Sequence, residues 1–196
     1  MSGTLKVGGV NLATHTGTDG TGNPVLDSGV VFPAGHVLQV QYISYGSPVV
    51  IANGTFTSVL HTSVLTITKI AGTKIFLYWS TQVGSASATN AYIEQSRIQR
   101  TDGNSDFSGT VVTLPGSPNV ASQTYPAGFA GYSNTATQKS VGNLSHTTID
   151  DSINGSAGTY YYRYQLKTGV TGTMTANGSA GLAGGIGIMQ AMEVVA

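Results

Sequence analysis

Four histidines, His15, His36, His61 and His146, are the side chains best suited to metal binding or proton transfer, and they stand singly along the chain. No two of them fall at a spacing that would aim both imidazoles at one ion. Glu94 and Glu193 are the only glutamates, whereas glycoside hydrolysis needs two carboxyl groups placed across a cleft. Asp150-Asp151 could supply one carboxylate or hold a cation, but adjacent acids ahead of Ser-Ile-Asn-Gly read more simply as a solvated turn. The nearest approach to a motif is Asp102-Gly103-Asn104-Ser105-Asp106, which opens like a D-x-[DN]-x-[DN]-G calcium loop. The match fails at its sixth position, Phe107 in place of Gly, and at its twelfth, Thr113 in place of Glu. Such Asp/Asn/Gly clusters also make ordinary hairpin turns. Asn53, Asn143, Asn154 and Asn177 head Asn-x-Ser/Thr sequons, which matter only in a eukaryotic secretory setting. No G-x-S-x-G, G-x-x-x-x-G-K-[ST] or H-E-x-x-H stretch occurs. These residues predict no enzyme, no metal site and no cofactor.

Composition narrows the partners. Only 8% of the 196 residues are charged, eight cations balance eight anions, and Gly numbers 27. Eight scattered Lys and Arg cannot form the basic patch that releases counterions from nucleic acid. A 40% hydrophobic content excludes charge-driven disorder. No apolar run approaches the roughly 18 residues that span a bilayer, and Met1-Ser2-Gly3-Thr4 has no secretory n-region. With no cysteine there is neither disulfide nor thiolate. A neutral surface of this kind associates readily, so the composition predicts assembly.

The elements that position these residues are strands. Apolar runs of four to eight residues, rich in Val, Ile, Tyr and Thr, alternate with Gly, Ser, Asn and Pro clusters, the mark of a sandwich or barrel. Strands are expected at 36–45 (HVLQVQYISY), 48–52, 54–60, 63–70, 74–82, 91–100, 110–114, 159–167 and 186–195. Residues 74–82 (KIFLYWSTQ) are apolar on both faces, which predicts a central strand. Eight to ten short strands make a double-sheet jelly roll the most economical architecture. Residues 116–158 are too long for a structureless loop, so part of them should pair as edge strands or lie on a neighbouring subunit.

The chain is expected to divide into an N-terminal arm and linker, 1–29, and a jelly-roll domain, 30–196. Leu5, Val7, Val10 and Leu12 form two small apolar patches ahead of the Gly/Thr-rich stretch 13–29. They read as an extended docking arm that orders on a partner, or else as an edge strand within its own assembly. The last strand carries Ile186, Ile188, Met192 and Val194 on one face and Met189, Ala191 and Val195 on the other. One face should meet the core and the other a second chain. Tyr160, Tyr162 and Tyr164 line one face of another strand; they either belong to a chain–chain interface or cap the inner core. Tyr160, Tyr162, Tyr164, Ile186, Ile188 and Met192 are therefore the candidate interface with another chain.

Residues 32–40, Phe-Pro-Ala-Gly-His-Val-Leu-Gln-Val, resemble a recurrent step into the first strand of trimeric, TNF/C1q-like jelly-roll modules in virion proteins of tailed bacteriophages. Residues 64–69 (VLTITK) followed by 73–77 (TKIFL) look like the family's adjacent strand pair, and 188–194 (IMQAMEV) like its closing strand. The likeness covers roughly 30–100 and 158–196 and leaves 101–157 unmatched. It implies an all-β homotrimer on the outer surface of a phage particle, without catalytic residues. Its partners would be itself and the major capsid protein or another virion protein, with no nucleic acid or membrane. With so short a segment ahead of the module, a capsid decoration protein is expected; the alternative is a head fibre or a receptor-binding tail-fibre tip that contacts host carbohydrate or protein.

Overall fold

The computed structural model describes residues 3–7, 10–15, 25–26, 33–51, 54–60, 63–85, 93–114, 141–168, 174–177 and 185–196. Among these described residues every regular element is a β-strand and no helix is long and apolar enough to cross a membrane. The chain divides into two compact units, 1–36 and 37–196.

The first unit is an antiparallel sheet of β1 (Gly3–Val7), β2 (Val10–His15) and β3 (Val25–Leu26), in that order. Val7 pairs with Val10, and the two residues between them are Gly8-Gly9, a dipeptide suited to the positive φ of a tight hairpin. Leu5 faces Ala13 across the pair, and the register shifts beside Leu5, passing over Leu12. Thr14 and Ala13 also pair with Val25 and Leu26. Within the stretch 13–29, expected to be a linker, residues 13–15 and 25–26 are paired, and 16–24 and 27–29 lie outside the described residues. The candidate arm residues Leu5, Val7, Val10 and Leu12 lie in a hairpin of their own.

The second unit holds eleven strands among the described residues. Its first sheet, sheet I, joins β9 (Ile93–Asp102), β10 (Val111–Thr113) and β12 (Gly158–Thr168) in the order β10-β9-β12. The free edge of β12 takes β7 (Leu65–Lys69) along its first half and β6 (Thr57–Ser58) along its second. Sheet II is built on β8 (Thr73–Ser85), with β11 (Val141–Asp150) on one side and β14 (Gly187–Val195) on the other. Beyond β14 lies β4 (Val37–Tyr45). The short β13 (Met174–Ala176) continues along β8 and carries β5 (Val49–Ile51) outside it. All pairs are antiparallel. β8 is central, as its two apolar faces predict. β11 supplies a paired strand inside the long Gly/Ser-rich region; residues 115–140 of that region lie outside the described set.

Alternation along the strands builds the core. Leu65 and Ile67 of β7, Tyr162 and Tyr164 of β12, Ile75, Leu77 and Trp79 of β8, and Met189 and Ala191 of β14 join one buried cluster fed by both sheets. Trp79 of sheet II stacks on Tyr164 of sheet I, ring centroids 3.5 Å apart and planes 20° apart. Burying a side chain of this class contributes about 1.5–3 kcal/mol. The chain is thus an all-β protein, and the two antiparallel sheets of its second unit share one core.

Polar ties close the sandwich at its edges. The Lys69 ammonium is buried and donates to the carbonyls of Ile70, Ile153 and Ser156. Desolvation pushes its pKa down, against the attraction of Glu193 and Asp150. The Glu193 carboxylate of β14 accepts from the Ile70 amide, the Thr73 hydroxyl and the Gln39 amide. Asn177, at φ +60° and fully buried, accepts from Thr81 and donates to the Val59 carbonyl. A side chain added at Gly187 would overlap Asn177 Oδ1.

Candidate functional site

The candidate interface separates into two groups. Tyr160, Tyr162 and Tyr164 are 4%, 0% and 1% exposed and face the core. This corrects their placement at a chain–chain interface: a side chain already enclosed by its own two sheets has no surface to offer a second copy. Period-two alternation shows which residues share a face but not which face is inside. Ile186, Ile188 and Met192 lie on the other side, with Ile186 56% and Ile188 39% exposed and Met192 half-buried.

That outer face of sheet II carries exposed apolar side chains set among polar ones. Strand register lines up Ile149, Phe76, Met192 and Val40 in one row across β11, β8, β14 and β4. The next row holds Thr147, Tyr78, Gln190 and Tyr42, the last 72% exposed. Val37 and Ile188 extend the patch. Neither row holds a charged side chain, and Lys74, paired with Val194, stands in the row beside them. Exposed apolar side chains grouped on one face in this way mark an interaction site.

Asp150 is not part of a solvated turn. It is 1% exposed and receives both contacts of Arg100 Nη1, at 2.9 and 2.8 Å, with the Ser152 hydroxyl at 2.7 Å and the Tyr162 hydroxyl at 2.9 Å. Only Asp151 takes the exposed position expected of both. Arg100 stands on β9, Tyr162 on β12 and Asp150 at the end of β11, so the cluster bonds sheet I to sheet II. Burial opposes the Arg100 charge, but the hydrogen bond and attraction of Asp150, with Asp102, raise its pKa overall. Burial, then the Asp150 charge, holds the Tyr162 hydroxyl protonated far above its ordinary range. All groups are satisfied by one another, which is the arrangement of a structural clamp rather than of a reactive centre.

The Asp102–Asp106 loop folds as an Asx turn. Asn104 Oδ1 accepts from the Asp106 amide and Asp106 Oδ1 from the Ser108 amide, at 3.4 and 2.8 Å; hydrogen bonds from the Ser108 hydroxyl, then from the Ser108 amide, hold Asp106 below the usual carboxylate range. Phe107 follows at φ +58°, a left-handed conformation that costs a bulky residue about 1–3 kcal/mol. Its buried ring lies under Arg163 of β12, whose Cζ is 4.2 Å from the ring centroid. Arg97 of β9 sits likewise over Phe56, at 3.7 Å, with Lys167 at 5.8 Å. Neutral amides orient both guanidiniums: Gln99 Oε1 accepts from Arg163 Nε and Nη2, and Gln165 Oε1 from Arg97 Nε. Burial lowers the pKa of both, and the neighbouring Arg163 charge lowers that of Arg97 further. A cavity of about 400 Å³ adjoins, lined by Ser58, Ser63, Val64, Ser105, Asp106, Phe107 and Arg163. Sequence reasoning did not single out this group, although Arg97 and Gln99 on β9 and Arg163 and Gln165 on β12 share strand parity, which placed each pair on one face.

Among the described residues, no three His, Asp or Glu side chains gather as metal ligands. His146 lies beside Trp79, ring centroids 6.1 Å apart; His15 falls in β2, and His61 lies outside the described residues. Fold and surfaces together define a class, the antiparallel two-sheet β-sandwich with exposed apolar side chains on one outer face. No protein-family model matches the chain, and comparison with the curated proteins finds no match.

Proposed function

We propose that the second unit is a jelly roll of the TNF/C1q type. We further propose that the chain is a non-enzymatic homotrimer that decorates the capsid of a tailed phage. Strand order supports the first part. With the short β5, β6 and β13 set aside, and the rest numbered one to eight along the chain, β4, β7, β8, β9, β10, β11, β12 and β14 give sheet II the order 1-8-3-6 and sheet I the order 2-7-4-5. That is the order expected when two Greek keys wrap one sandwich.

The observation that carries the assembly is the outer face of sheet II. Water contact with Tyr42, Val40, Ile149 and Ile188 is unfavourable in proportion to apolar area, and a second and third copy would remove it. Closed rotational symmetry satisfies such a face without leaving an end free to polymerise. The virion setting rests on the resemblance at 32–40, 64–77 and 188–194. In this reading the β1–β2 hairpin is the docking element, and three copies per assembly let each bind weakly. Cryo-electron microscopy of the purified particles that carry this gene tests the proposal. Trimeric density on the capsid lattice is expected; density at the tail tip would favour the receptor-binding alternative, and absence from the particles would refute both.

A further inference from the structure

We propose that the outer face of sheet I binds an acidic saccharide. Arg163 and Arg97 would hold its carboxylate or sulfate, and the serine-lined cavity beside Arg163 would hold its hydroxyls. The site lies on the sheet opposite the proposed assembly face, so it stands or falls independently of trimer formation.

Among the described residues no carboxylate is hydrogen-bonded to Arg97 or Arg163, although Asp106 lines the cavity beside Arg163. Guanidiniums that serve the fold alone usually meet a carboxylate, as Arg100 does with Asp150. Arg97 and Arg163 instead meet amide oxygens and ring faces, which fix orientation without neutralising charge. Strand register sets Arg163 opposite Gln99 and Arg97 opposite Gln165, so the two cations stand diagonally on one face, where Arg163 disfavours the charge on Arg97. An oxyanion placed against them would relieve that repulsion and gain charge-assisted hydrogen bonds. Preorganisation is already in place, because β9 and β12 set the spacing and the Phe rings hold the guanidiniums from beneath.

The cavity then selects among anions. Its volume falls in the range of small-ligand sites, roughly 300–1,000 Å³. Ser58, Ser63 and Ser105 supply hydroxyls that donate and accept, and Asp106 supplies an acceptor. A bare inorganic anion has no use for an adjacent carboxylate, whereas a sugar ring with hydroxyls beside its acidic group does. Phe107 keeps its strained φ at this rim, and strain of this kind gathers at binding sites.

The test uses the full chain on an array of oligosaccharides bearing uronate, sialate or sulfate groups, each beside its neutral counterpart. Retention of acidic members with at least about tenfold preference over the neutral ones is expected. Arg163→Gln and Arg97→Gln should each lower that binding about tenfold while the melting temperature stays near that of the wild type. Should Arg163→Gln unfold, Ser63→Val keeps the idea testable, because it removes a cavity hydroxyl without touching either cation. Failure to retain any acidic member, or equal retention of neutral ones, would overturn the proposal. So would competition by inorganic phosphate as effective, mole for mole, as the saccharide.

Discussion

Asp150→Ala tests the clamp between the sheets. The substitution removes an acceptor whose two oxygens serve Arg100, Ser152 and Tyr162. It leaves the Arg100 guanidinium, with 6% of its side chain exposed, without its buried partner. Breaking a buried pair by deleting one member costs about 3–5 kcal/mol, because the remaining charge stays desolvated. Asp102 remains 2.9 Å from Arg100 Nε, but its side chain is 62% exposed, and an exposed carboxylate returns under about 1 kcal/mol. Against a native stability of about 5–15 kcal/mol, the variant should lose a large part of its margin. Urea unfolding measures it, with the Arg100→Met single variant and the double variant completing a cycle. The double variant should be less destabilised than the sum of the singles, since no charge is left buried alone. An Asp150→Ala loss under about 1 kcal/mol with an unchanged denaturant slope would refute the reasoning.

Three further outcomes follow from the same geometry. Stability should fall as pH rises beyond about 10, at up to about 1.4 kcal/mol per pH unit for each of Tyr162 and Tyr164. Burial raises both folded pKa values above the unfolded one, so the unfolded chain releases these protons first. Lys69, whose folded pKa is lowered, works in the opposite sense only up to its unfolded value near 10.4. Tyrosinate absorbance should rise for these two residues only with unfolding; titration ahead of unfolding would contradict the burial argument. Gly187→Ala should cost about 1–3 kcal/mol in chemical denaturation, because the new methyl displaces Asn177 from Thr81 and Val59. Deleting residues 1–36 should leave the second unit folding with an unchanged melting temperature by calorimetry, since the two units are separately compact; a truncated chain that fails to fold would oppose this.

Much of the sandwich was legible because local pattern and global fold agree. The alternation of 63–70 put Leu65, Ile67 and Lys69 on one face, and β7 buries all three. Even the lysine fits once its carbonyl partners near residues 153 and 156 are seen. What the pattern cannot carry is non-local. The tyrosine stripe reads the same for an inner or an outer face, and only its stack on Trp79, 85 positions earlier than Tyr164, decides. Asp150 resembled a turn acid because its partner Arg100 lies 50 residues away. The cationic face of sheet I was hidden for the same reason, β9 and β12 being joined across a long stretch of chain. By contrast the Gly8-Gly9 dipeptide between Val7 and Val10 is a local hairpin signal that the reading of 1–29 as an extended arm did not use.

Sedimentation or light-scattering mass, taken on the wild type and on Met192→Asp at micromolar concentration, addresses the central claim directly. Three copies of a 20.1 kDa chain give about 60 kDa, and that mass is expected for the wild type. Met192 sits mid-row between Phe76 and Val40, so a carboxylate there would be stranded in the interface. It would meet water in the monomer, where Met192 is only half-buried. The variant should therefore fold and sediment at about 20 kDa. A wild-type mass of 20 kDa, or a Met192→Asp variant that keeps the full assembly, would contradict the claim that the outer face of sheet II holds the copies together.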